Sequence, residues 1–322
     1  MLIGIVIPAF NMERFIRAAI GSVLAQTHAD WVMAVVDDGS TDSTAAAAAL
    51  FLDPRIRVIQ QANGGVSAAR NRGIAALDPD AFLFLDADDW LAPDALARLA
   101  EALTAAPDAI AAAGPYQRMI AADTGALCPV GPIRRPAHGW LLERLLVRNL
   151  FVNGGQLLIR QQAVRDAGGF RTDLRYGEDW EYWVTLAARG TFATAAGRAS
   201  VLFVRDRPDG AYRAMAASPG SFDPCMAAIH GNPALREHFP PARLTALRSR
   251  AEAENHWVIG RALSHLGRKR EAMTWLHRSV RAAPGMKRLA LLAAAHVASF
   301  RVRPFKPLTG SGPVRLVKYQ LK

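Results

Sequence analysis

The chain has 322 residues, 51% of them hydrophobic, which is a globular composition for one large domain with a smaller appendage. Its net charge of +11 is uneven: residues 1–205 hold 19 Lys and Arg against 21 Asp and Glu, and residues 206–322 hold 20 against 7. That asymmetry implies an anionic partner for the carboxy-terminal third. Two cysteines, Cys128 and Cys225, show no metal or redox spacing and read as reduced thiols. Met1 leads directly into "LIGIVIP", too short an apolar run for a signal peptide, and "LALLAAAHVASF" from Leu289 is too short to span a bilayer. The expected location is cytoplasmic.

Taken in order, "LIGIVIP" (2–8) reads as a buried strand, and Phe15, Ile16, Ala19, Ile20, Val23 and Leu24 recur at helical spacing. "WVMAVVD" (31–37) is a second strand, followed by a small-residue helix from Thr41 to Leu50. "RIRVIQ" (55–60), the helical "VSAARNRGIAAL" and the strand "AFLFLD" (81–86) come next. Apolar strands separated by helices predict a mostly parallel sheet covered on both faces. Residues 152–170 read as loop, strand, helix and glycine turn. "YGEDWEYWVTLAARG" (176–190) is an acidic loop opening a helix, and "SVLFV" (200–204) a last strand. Residues 206–224 are a turn-rich boundary, and a helical extension follows.

Polar clusters follow each of the first four strands: "PAFN", "DDGSTD", "QQANGG" and "DADD". All four line one edge of the sheet, where open α/β folds place ligands. The turn after the first strand holds no glycine and no P-loop occurs, which excludes a dinucleotide fingerprint and a phosphate cradle of that kind. "DADD" offers another way to manage phosphates. Carboxylates two apart at a strand end can hold a hard divalent cation that shares its shell with a diphosphate, although the same acids could simply serve the helix that starts near Pro93. In "DDGSTD", capping of the next helix by Ser40 or Thr41 explains those residues and Asp42, but not the adjacent Asp37 and Asp38. Arg70 reads either as a surface arginine or as a phosphate or base ligand. Glu178 and Asp179 suit a helix amino terminus, and beside Trp180 and Trp183 one of them could be partly desolvated. Glu181 reads as a helix-surface residue.

"VIPAFN" (6–11), "DDGSTD" (37–42), "GVSAARNRG" (65–73), "DADD" (86–89) and "GEDWEYW" (177–183) stand in the order and spacing of the family 2 inverting glycosyltransferases. The chain resembles that family over roughly its first 205 residues. The resemblance implies a GT-A fold, a mixed and mostly parallel sheet flanked by helices, with a nucleotide-sugar half at about 1–110 and an acceptor half at about 111–205. It implies a nucleotide-sugar donor, usually a UDP-sugar, with Mg²⁺ or Mn²⁺. Carried over, Pro8 and Phe10 flank the base, Asp38 bonds the uracil, and Arg70 sits beside base and ribose. Asp86, with Ala87 beside it, contacts the ribose and metal shell, Asp88 ligates the metal, and the base is Asp179, with Glu178 as its alternate. The Q-x-x-R-W block of processive synthases is missing, which favours single additions to a surface-polysaccharide or lipid-linked acceptor. A silent scaffold and a sugar nucleotidyltransferase are the competing readings; nucleic-acid binding is not expected, since the aromatic stacking pattern is missing.

In the extension, Gly260, Leu263, Gly267, Ala272, Leu276 and Pro284 approach one tetratricopeptide repeat within about 251–284, which reads either as a partner-binding unit or as a plain helical hairpin. The basic, apolar-centred segment 287–306 either lies on an anionic membrane or packs its apolar face inward.

Overall fold

The computed structural model describes residues 1–122, 125–207 and 220–286, together with positions 288, 289 and 292. The segment 287–306 therefore lies almost wholly outside the described residues.

Strands β1 (Ile3–Ala9), β2 (Trp31–Asp37), β3 (Ile56–Gln60) and β4 (Ala81–Phe84) run parallel, with β1 between β4 and β2. Beyond β4 the sheet continues through β9 (Leu157–Arg160), β6 (Ala109–Ala113) and β10 (Thr191–Thr194). β9 is antiparallel to both neighbours, so the sheet is mixed. Helices α1 (Ile16–Leu24), α2 (Thr44–Ala49), α3 (Val66–Ala76) and α4 (Ala95–Ala105) supply the crossovers of the first half.

The unbroken apolar runs follow from coverage of both sheet faces. Ile3, Ile5 and Ile7 of β1 and Leu83 beside β1 join one core with α1 and α4, whereas Val6, Phe82 and Phe84 join a second core on the opposite face. Close approach of α3 to β1 needs Gly73, since a Cβ there would lie 2.3 Å from Val6 Cγ1.

A smaller sheet flanks the first, in the order β5 (Trp90–Leu91), β11 (Leu202–Arg205), β7 (Tyr116–Ala121), β8 (Leu127–Arg134). Between β8 and β11 lie α5 (Leu142–Leu145), α6 (Gln161–Ala167) and α7 (Glu178–Ala187). Four more helices follow: α8 (Asp223–Gly231), α9 (Leu235–His238), α10 (Pro241–His265) and α11 (Lys269–Ala282). α8, α9 and the start of α10 close the second core, where Cys225, Met226, Ile229, Leu235, Leu247 and Ala251 pack with Trp180 and Trp183. α10 and α11 form a hairpin. Gly260 allows Leu276 to approach, Ser279 Oγ donates to Ala253 O at 2.7 Å, and Ile259, Leu263 and Ala272 make a small core of their own.

Because α8 covers the outer side of α7, Glu181 is only 7% exposed rather than a surface residue. Its carboxylate accepts from Thr185 Oγ1 at 3.2 Å, and burial pushes its pKa up. The capping of α2 also differs from expectation. Ser40 Oγ instead accepts from Asn11 N–H, Thr41 N–H donates to Asn11 Oδ1, and it is Asp42 Oδ1 that accepts from Thr44 N–H at the helix start. Asn11, at φ 54°, takes the left-handed conformation that its short polar side chain tolerates. The loops after β1 and β2 are thereby stitched into one surface.

Candidate active site

The carboxyl ends of β1 to β4 converge as the sequence indicates, and each predicted residue has a defined place. Pro8 is buried in β1 opposite Val36, and Phe10 stands 44% exposed just past the strand. Asp38 N–H donates to Ala9 O, which sets Asp38 beside Phe10. The buried Asp38 carboxylate accepts from Gln61 Nε2 at 2.7 Å, Gly64 N–H at 2.9 Å and Gly65 N–H at 2.8 Å. It thus ties the loop after β3 to the end of β2 and shapes the floor of the cleft. Gly65, at φ 86°, supplies the positive φ that turns its N–H toward this carboxylate.

Arg70, on α3, is 4% exposed. Its Nη2 donates to Asp86 Oδ1 at 3.1 Å and its Nη1 to Glu178 Oε1 at 3.0 Å, while its guanidinium lies 5.0 Å from the Phe170 ring centroid. One buried arginine therefore joins the acid at the end of β4 to the acidic turn that opens α7, residues 92 positions apart in their nearest members (Asp86 and Glu178). The planar fork suits this, since a single ammonium could not meet two carboxylates from two directions.

Asp179 follows Glu178 in that turn. Its Oδ1 accepts from Trp180 N–H at 2.6 Å, and Asn149 Nδ2 lies 3.4 Å from its Oδ2. Burial, with the neighbouring Glu178 charge in addition, pushes its pKa up to about 7, against the opposing pull of Arg70. Among the described residues Glu178 has a direct cationic partner and Asp179 does not, which separates the two acids. Trp180 fixes the turn by donating from Nε1 to Leu145 O at 2.6 Å. From below, Gly177, at φ 75°, faces Cys225 of α8. A Cβ on it would lie 2.5 Å from Sγ, and the thiol donates to Gly177 O at 3.2 Å.

In "DADD" the acids differ. Ala87 is buried, and Asp86 and Asp88 keep part of their carboxylates exposed. Asp88 Oδ2 accepts from Arg207 Nη1 at 3.2 Å. Burial and the charge of Asp86 raise the Asp88 pKa. Asp89, which sequence reasoning leaves open, is buried. Its Oδ2 accepts from Asn153 Nδ2 at 2.6 Å and its Oδ1 from Arg205 N–H at 2.8 Å. It is a clamp between the strand-end turn, the small sheet and the loop before β9. Burial, then the charges of Asp88 and Asp86, hold its pKa well above the ordinary carboxylate value.

Sequence reasoning missed Arg205 and Arg207. Arg205 donates to Asp88 O at 3.1 Å and packs over Phe15 and Trp90, and the Arg207 guanidinium lies 5.0 Å from the Phe15 ring. The signal was the Arg-Asp-Arg that ends the last strand, at a place that reads as a boundary.

As a test of metal fit, Asp86 and Asp88 each give one oxygen to an arginine, keep a second oxygen, and have side chains that are partly exposed. Two hard-oxygen donors set against each other, with the Asp88 pKa raised partly by Asp86, match a divalent cation that takes its remaining ligands from water and phosphate. Among the described residues no group of three or more acidic, His or Cys side chains forms a complete metal cage.

A mixed, mostly parallel sheet with its acids gathered at the strand ends, flanked by a second small sheet, defines a GT-A-type domain. The family model described as Glycosyl transferase family 2 matches residues 4–140, and over this segment the chain is similar to that family. Over 93 residues it is 39% identical to the UDP-Glc:alpha-D-GlcNAc-diphosphoundecaprenol beta-1,3-glucosyltransferase WfgD of Escherichia coli, covering 28% of this chain and 37% of that protein. Among the first curated relatives the matches span about a third of the relative's length or less. Among solved structures, TarS 1–349 of S. aureus in complex with UDP-GlcNAc superposes with a TM-score of 0.66 at 18% identity, covering 92% of this chain and 88% of that one. The mannosyltransferase PcManGT of Pyrobaculum calidifontis in complex with GDP-Man and Mn²⁺ gives 0.57 at 19% identity, covering 92% and 79%. At these identities the likeness is one of fold.

Proposed function

We propose that this protein is an inverting glycosyltransferase that moves one sugar from a UDP-sugar to a hydroxyl of a glycan or lipid-linked acceptor of surface-polysaccharide synthesis. The observation that carries the reading is the Asp86–Arg70–Glu178 bridge with Asp179 beside it. It holds a donor-side acid and a carboxylate of pKa about 7 in one rigid unit. Phe10 and Pro8 would flank the base, and Asp38, with three donors taken, has acceptor capacity left for one base N–H. Arg70 acts by position, since both of its terminal nitrogens are engaged. Asp86 and Asp88 would hold Mg²⁺ or Mn²⁺, which when bound neutralises the diphosphate leaving group. Asp179 takes the acceptor hydroxyl proton as that oxygen bonds to the anomeric carbon. The bond from that carbon to the diphosphate breaks on the opposite face, and UDP leaves.

The UDP-Glc donor and diphosphoundecaprenol-linked acceptor in the name of WfgD, the UDP-GlcNAc bound to TarS and the Mn²⁺ in PcManGT support the donor, acceptor and metal classes. With such an acceptor, the strongly basic carboxy-terminal region would rest against an anionic membrane on its cytoplasmic side.

The test is incubation with Mn²⁺ and a panel of nucleotide sugars, with nucleotide release and nucleotide affinity both measured. The expected result is slow hydrolysis of a UDP-sugar that requires Asp88. Neither release nor binding of any nucleotide would refute the reading.

A further inference from the structure

A cavity of about 560 Å³ opens between the small sheet and α5. Arg118 of β7 and Arg134 at the end of β8 line it from the sheet, with Arg135 beside them, and Arg144 of α5 and Arg148 line it from the other wall. None of these five makes an ion pair with a described residue, and among the described residues Asp206 is the one acid in the lining. Five guanidinium groups around one cleft repel each other unless an anion joins them. Even with these five counted, the part of the chain that holds them is slightly acidic, with 19 basic against 21 acidic residues up to position 205.

The cleft adjoins the candidate base. Asn149, in its lining, places Nδ2 3.4 Å from Asp179 Oδ2. The Trp180–Leu145 hydrogen bond fixes α5, and so Arg144, relative to the turn that carries Asp179. Asp206 immediately precedes Arg207, the partner of Asp88. A molecule seated on the arginines thus lies beside the base. A second cavity of about 330 Å³ shares Arg144 and Arg148 and continues to Arg250 of α10.

From this we infer that the cleft is the acceptor site and that the acceptor carries a phosphate oxyanion close to the hydroxyl that is glycosylated. The inference rests on the glycosyltransferase reading and adds the charge of its second substrate. Arginine forks bind tetrahedral oxyanions bidentately, and spacing on two walls fits one group of two phosphates or consecutive phosphodiesters.

Three probes separate the sources: a short-chain alkyl diphosphate ester of N-acetylglucosamine, a phosphodiester-linked glycan fragment, and the neutral alkyl glycoside of the same sugar. Binding is measured by calorimetry with UDP saturating the donor site, on wild type, Arg144→Gln/Arg148→Gln and Arg134→Gln/Arg135→Gln. One of the two phosphate probes binds at least about ten-fold more tightly than the neutral glycoside, its affinity falls about ten-fold or more in each double variant, and it weakens with salt. Affinity for UDP, measured alone, checks that the variants are folded. The diphosphate ester binding best assigns a lipid-linked headgroup, and the phosphodiester fragment a polymer. Equal binding of charged and neutral probes, or unchanged affinity in both variants, overturns the inference. Tight, arginine-dependent binding without any sugar transfer would leave this site standing and refute the glycosyltransferase reading instead.

Discussion

Replacing Asp179 with Asn separates what this carboxylate does in catalysis from what it does to stability. In the folded protein its pKa is about 7 against an ordinary 3.8. Each unit corresponds to about 1.4 kcal/mol, so the full shift is worth about 4 kcal/mol. Asp179 keeps part of its surface in solvent and shares the shift with Glu178 and Asp86, so about 2 kcal/mol is the effect expected in measurement. The sign follows from linkage. Below about pH 4 the acid is protonated in both states, and Asp and Asn are equivalent. Between about 4 and 7 the unfolded chain has released a proton that the folded chain retains, so wild-type stability falls as pH rises. Above about 7 the loss is complete. Urea unfolding of both proteins at constant ionic strength from about pH 4.5 to 8 should show Asp179→Asn gaining stability over wild type with pH, reaching about 2 kcal/mol, while transfer falls to background. Wild-type kcat/KM should rise with pH through a single ionisation near 7. A stability difference that does not change with pH, or a variant less stable than wild type at pH 8, would refute the assignment of a desolvated, strained base.

Arg70→Lys keeps the charge but cannot fork to Asp86 and Glu178 together. Urea denaturation should show a loss of about 2–4 kcal/mol and donor turnover a fall of at least about a hundred-fold, with no rescue at high Mn²⁺. Asp89→Ala leaves Arg205 N–H and Asn153 Nδ2 without an acceptor and should cost about 2–3 kcal/mol by the same measurement, whereas Asp88→Ala should cost under about 1 kcal/mol yet abolish metal-dependent UDP-sugar affinity. Gly177→Ala meets both a positive φ and Cys225 Sγ, and should lower the Tm by several degrees, about 1–3 kcal/mol, and depress kcat more than donor KM.

The donor half was legible because its signals are local. Each of β1, β2 and β4 is an apolar run ending in its own polar cluster, and parallel pairing carries all the clusters to one edge. Between residues 110 and 151 the sequence offered little. β6 is "AIAAA", with one β-branched residue, and β8 contains two prolines; each is a strand by virtue of its neighbours. Glu181 was misplaced for the same reason. An acid on an amphipathic helix reads as solvent-facing, and only the tertiary packing of α8 removes it from water. The pairing of Arg70 with acids on two other elements was likewise invisible, since nothing in residue types states which arginine the fold will bury.

The thiol of Cys225 against Gly177 has a consequence for how such a chain can be cut. The family model's match ends at residue 140, whereas the candidate base lies at 179 and its turn is braced by a helix that starts at Asp223. A swap made at the edge of the recognisable segment would sever the base from its brace and deliver a donor pocket without its chemistry. The exchangeable module is longer than the conserved-looking one: a graft of this active site onto another chain has to carry residues through Ala251, where the shared core ends, and would bring the arginine cleft, and with it the choice of acceptor, along with the catalyst.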